Sequence, residues 1–188
     1  MADKAEIRDG GGATPWRIAG WGAAALVLLL PLVAMQFTSE VKWDLADFVV
    51  MGALLGSAGG ALELAVRRSG SLAYRAAAGV AIMASFLLVW VNLAVGFLGS
   101  EDNPANLMFL GVIALAVIGS LIARFQPAGM ARALFATAAA QGLVGAVALA
   151  AGLGSPGAGG LYEVVIGTSV FAAMWLISAW LFGKAARE

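Results

Sequence analysis

Glu63, Asn92 and Gln141 are the side chains best placed to do chemistry away from water, because each lies inside a long apolar stretch. A carboxylate so placed can couple a proton or a cation, and carboxamides can hand a polar solute along by hydrogen bonding. Each residue also has a plainer use. Glu63 precedes Arg67 by four residues, the favourable acid-before-base order for an ion pair on one helix face. Asn92, beside Trp90, and Gln141 can bond across neighbouring helices without serving a substrate.

A second polar set stands where apolar stretches begin. Asp44 and Asp47 form a D-x-x-D pair, in which the first carboxylate accepts from an early backbone N–H and the second reaches back to the N–H of the first. Asn103 can cap the stretch that opens with Pro104, and Gly160 stands at the corresponding place before the last stretch. Asn106 and Glu163 then fall at the offset that Asp47 has from Asp44. With Glu40, Glu101 and Asp102 these residues could ring one mouth of the molecule and bind a hard cation through oxygen. Capping is the favoured reading, since an amide at position 106 still accepts a hydrogen bond but holds a divalent ion poorly.

The chain contains no His and no Cys. That removes disulfides, iron–sulfur ligation, thiol catalysis, the Ser-His dyad, His-based zinc motifs and most haem ligation. No nucleophile–base constellation and no metal motif can be read, so neither an enzyme nor a cofactor is expected. Basic residues interleaved with aromatics are missing too, so nucleic acid is not an expected partner.

The elements that must position these residues follow from composition. Hydrophobic residues make up 62% of the chain and charged residues 12%, more apolar surface than a soluble domain of this length could hide. The expected fold is all-α: a polytopic transmembrane bundle of six helices, about 18–37, 45–66, 76–98, 104–123, 133–153 and 161–182. Residues 1–13 read as a flexible tail and 14–188 as one six-helix domain. Pro31 should kink the first span.

Sorting charge by side gives an orientation. All of the eleven Lys and Arg residues except Lys42 fall on one side, and Glu40, Asp44, Asp47, Glu101, Asp102 and Glu163 fall on the other. The positive-inside rule then puts both termini in the cytoplasm of a bacterial-type inner membrane, with the lipid bilayer as the first partner.

Spacing suggests an internal repeat of about 57 residues. Arg17, Arg75 and Arg132 each stand before an odd-numbered span, and LAVGFLGS is echoed by ALAAGLGS. Three tandem helical hairpins follow, about 14–69, 70–127 and 128–188.

Gly52, Gly56 and Gly60 make a stripe of small residues four apart, a glycine zipper that lets backbones touch where lipid gives no hydrophobic drive. Ala138, Gly142 and Ala146 offer a counterpart in the fifth span, so packing of span two on span five is expected. The functional expectation is a non-catalytic packing, scaffold or accessory subunit, as a homo-oligomer or within a larger membrane complex. The alternative is a small-solute or ion permease using Glu63, Gln141 and Asn92.

Overall fold

A computed structural model describes residues 15–100 and 102–188. The tail read at 1–13 and the acid at position 101 lie outside the described residues. The described chain is helical: α1 (Pro15–Ala34), α2 (Leu45–Arg68), α3 (Leu72–Ala94), α4 (Leu107–Ile122), α5 (Pro127–Ala150) and α6 (Ala158–Ala185), with a single 3-10 turn, Pro104–Asn106, leading into α4. All six, counting the turn with α4, are long and apolar enough to cross a membrane. They are compatible with a multi-pass membrane protein.

Local chemistry sets the ends. α1 and α5 open on Pro15 and Pro127, where the missing N–H costs nothing. α1 runs through Pro31 and stops a turn later, short of the expected position 37. Gly96 and Gly152 follow α3 and α5 with φ of 71° and 63°, a conformation open to glycine that turns the chain out of a helix. Beyond α4 the left-handed residues are instead Arg124 (φ 48°) and Phe125 (φ 58°), which have a Cβ to accommodate. Their carbonyls are gripped from outside. Arg68 Nη2 donates to Arg124 O at 2.7 Å, Tyr74 Oη donates to Phe125 O at 3.0 Å, and the Arg68 guanidinium lies 5.4 Å from the Phe125 ring centre.

The described chain divides into two compact units that meet between Gly59 and Gly60, with α2 crossing the boundary. In the first unit, Leu28 of α1 lies 3.8 Å from the Cβ position of Gly52, and the Trp21 ring comes to 3.0 Å from that of Gly59. No residue of α1 is buried.

In the second unit α6 packs on both α5 and α3, α4 packs on α5, and α3 meets α4 only lightly. The packing therefore departs from a set of paired hairpins. α5 and α6 do pair, but α3 and α4 each take their main neighbour from that pair. Trp175, Phe109, Phe182, Leu88 and Leu134 fill the interior, each under 2% exposed. Close approach depends on small residues: a Cβ on Gly119 would stand 2.8 Å from Ala133 Cβ, and one on Gly129 would stand 2.7 Å from Ala123 Cβ. Such approach multiplies dispersion contacts, the attraction that remains when lipid is the solvent.

The small-residue stripe on α5 is only partly where contact occurs. Ala138 is buried, whereas Gly142 and Ala146 are exposed, and Gly145 is the glycine pressed against α6. Four residues advance an α-helix by about 400°, so a strict four-residue stripe drifts about 40° per step off a fixed face. The buried face instead runs through Leu134, Ala138, Gln141, Gly145 and Ala148. In α2, Gly56 and Gly60 have nothing within 4 Å of a Cβ position. The expected seating on α5 is thus not met at Gly60, which shares a unit with that helix.

Candidate functional site: the buried polar strip of the second unit

The buried face of α5 carries Thr137 and Gln141, and that of α6 carries Trp175 and Ser178. Gly145 of α5 lies against Thr168 of α6, which fixes the antiparallel register and brings Gln141 level with Ala172, between Thr168 and Trp175. Gln141 has no exposed surface, and neither its Nε2 nor its Oε1 makes a hydrogen bond among the described residues. Thr168 Oγ1 and Trp175 Nε1 are buried and unpartnered as well. The ends of the strip are satisfied: Thr137 donates to Ala133 O at 2.9 Å, and Ser178 donates to Ala77 O of α3 at 2.7 Å. A carboxamide offers two donor hydrogens and an accepting oxygen, so the middle of the strip holds unused hydrogen-bonding capacity inside an apolar shell.

Asn92 is held elsewhere. Its Nδ2 donates to Leu88 O at 2.7 Å, and its Oδ1 is buried without a partner. It lines a void of about 40 Å³ between α3 and α4, with Phe109 and Ile113 among the walls. Ser178 on Ala77 sets the α3–α6 register, which brings Asn92 level with Glu163, roughly 13 Å along the bundle from the level of Gln141. The two amides therefore do not share a cavity. Glu63 stands near the end of α2, where Arg67 Nη2 reaches its Oε2 at 3.4 Å, and its side chain is 16% exposed. That is the plain helical ion pair at the basic end.

The residues at helix starts are engaged by backbone. Asp44 Oδ1 accepts from Ala46 N at 2.7 Å and Asp47 N at 3.0 Å, while Asp44 N donates to Asp47 Oδ2 at 2.9 Å. This is the reciprocal geometry of a capping box. Asn103 Oδ1 accepts from Ala105 N at 3.0 Å. Asn106 does more than its offset implies: Oδ1 accepts from Phe97 N and Leu98 N at 3.0 and 2.8 Å, and Nδ2 donates to Ser100 O at 2.7 Å. The third start differs from expectation. α6 begins at Ala158 after Gly157 (φ 88°), so Gly160 is inside the helix, packed against Ser155, and is not its cap. Glu163 Oε2 accepts from Ser155 Oγ at 2.8 Å.

Thr168, Trp175 and Ser178 were not singled out by sequence. The available signal was spacing: 168, 175 and 178 recur at seven and three residues, one helix face, opposite the Thr137–Gln141 face of α5.

Fold and strip together define a class: an all-helical chain of membrane-spanning type with an enclosed polar layer in a packed helical core. Comparison with protein-family models, with curated proteins and with solved structures finds no match.

Proposed function

We propose that this chain is a non-catalytic membrane subunit, a packing or accessory element in a homo-oligomer or a larger complex, with both termini on the cytoplasmic side. The observation that carries this reading is the filled interior of the second unit, where Trp175, Phe109, Leu88 and Leu134 occupy the core and Gln141 has no exposed surface. A solute path needs polar groups that face a common opening, and Asn92 and Gln141 stand at different levels.

The test is the mass of the particle extracted in a mild detergent, together with solute flux in proteoliposomes. A defined assembly larger than one chain, with no flux, is expected. A single chain that carries a cation or small polar solute overturns the reading.

Permeation is kept as a second reading because of one observation: both polar atoms of Gln141 are unpartnered, with Thr168 Oγ1 and Trp175 Nε1 unpartnered a turn to either side. A strip of this kind could pass a proton or a water molecule if the helices part.

A further inference from the structure

A groove of about 510 Å³ opens on the outside of the second unit between α5 and α6. It is lined by Ala131, Arg132 and Phe135 from one helix and Leu176, Ala179 and Trp180 from the other. The register that sets Gly145 against Thr168 puts Arg132 and Trp180 at one level. Each lies about 7.5 Å in from the end of its helix, counted from Pro127 and Ala185. That depth in a bilayer is the boundary between headgroups and hydrocarbon, where amphipathic Trp and the charge of Arg are both at home. One turn deeper, Phe135 and Leu176 remain 63% and 44% exposed.

Arg67, Arg68 and Arg75, placed at the same end, are engaged by other groups of the protein. Arg67 pairs with Glu63, Arg68 with the Arg124 carbonyl, and Arg75 with the carbonyls of Ser69 and Val66. Arg132 Nε reaches Ala128 O of its own helix at 3.3 Å, and its two terminal nitrogens make no hydrogen bond among the described residues. No acid among the described residues lines the groove. One positive charge, with a planar fork suited to phosphate, therefore stands over an apolar trough.

We propose that this groove binds one anionic phospholipid, its phosphate on Arg132 and one acyl chain along Phe135, Leu176 and Trp180. The charge selects the headgroup, and the exposed apolar walls take the chain.

The test is the melting temperature of the delipidated protein in a nonionic detergent, titrated with dioleoyl phosphatidylglycerol, dioleoyl phosphatidylcholine or glycerol 3-phosphate. A saturable rise with phosphatidylglycerol alone is expected. Half-saturation should weaken about fivefold in Arg132→Gln and stay unchanged in Arg187→Gln, a charge at the same end outside the groove. An equal rise with phosphatidylcholine means solvation by any lipid, and an equal rise with glycerol 3-phosphate means a free-phosphate site; either overturns the proposal. So does the absence of any rise, an unaltered response in Arg132→Gln, or an equal weakening in Arg187→Gln, which marks diffuse charge attraction. Should Arg132→Gln fail to fold, phosphatidylglycerol with a photoreactive acyl chain decides on the wild type. Adducts at Phe135, Leu176 or Trp180 support the proposal, and adducts confined to other helices overturn it.

Discussion

Thr168 occupies the space that a side chain at residue 145 would need. Its Oγ1 stands 2.7 Å from the Cβ position of Gly145, and its methyl stands closer still. α5 and α6 are thus at backbone-limited distance, and the β-branched Thr168 has no free rotation with which to yield. Gly145→Ala should destabilise the detergent-solubilised protein by about 1–3 kcal/mol, the usual range for overpacking. Gly142→Ala, three residues away with nothing within 4 Å, should be neutral or slightly stabilising. Denaturant or thermal melts of the two variants check this, and equal melting points would mean that the helices do not meet at Gly145.

Gln141→Leu separates the two readings of the polar strip. Replacing an unpartnered buried carboxamide by an apolar side chain of similar size removes a desolvation cost of about 1–3 kcal/mol. The melting temperature should therefore hold or rise, with assembly unchanged. A folded Gln141→Leu protein that loses a proton or solute flux shown by the wild type would transfer the weight to permeation.

Asn106 closes the connection between α3 and α4 with three hydrogen bonds to backbone. Asn106→Ala leaves the N–H groups of Phe97 and Leu98 and the carbonyl of Ser100 without that partner, and should cost about 1–3 kcal/mol. Asn106→Asp keeps both acceptor bonds and loses the donor, so its melting temperature should fall between those of the wild type and the Ala variant.

The Asp44–Asp47 box predicts a graded series. Asp47→Asn retains an accepting oxygen for Asp44 N and should be tolerated, whereas Asp47→Ala should lose about 0.5–2 kcal/mol, as other lost caps do. Millimolar calcium should leave the melting temperature of the wild type unmoved. A calcium-dependent rise that disappears in Asp47→Asn would make these acids a cation site.

Orientation is tested by fusions. A periplasm-active reporter joined after Ser100 or Gly157 should be active, and one joined after Gly129 or Lys184 silent, as the positive-inside rule requires. Activity after Gly129 is the outcome that breaks the proposed threading.

The helices were legible because length and apolar content leave few alternatives, and the charged loops punctuate them. Glu63 was legible for a similar reason: a partner four residues on is local information, and the ion pair with Arg67 is what the structure contains. Partner choice was not legible. Helices in lipid can be apolar on every side, so the pattern that points a soluble helix toward its core is weak here. Gly142 and Gly145 look alike in sequence, and only the rotation of α5 against α6 puts one on the surface and the other on Thr168. The offset of Asn106 suggested a helix cap, but its bonds to Phe97 and Leu98 depend on how the preceding loop folds back, which spacing does not encode.

The hydrogen bond from Ser178 to the Ala77 carbonyl joins residues 101 positions apart. The same long-range pairing of α3 with α6 sets Phe182 edge-on to Tyr74, with ring centres 5.1 Å apart. α3 is therefore synthesised well before its main neighbour exists. At the usual pace of translation, α3 waits about 5–20 s while the three later helices are made. During that interval its small-residue face at Ala77, Ala78 and Ala84 is open to lipid, or to whatever insertion factor shelters nascent helices. The second unit can close only when its final span arrives, so a ribosome stalled before Trp175 would leave a chain with α3, α4 and α5 formed and its core unmade.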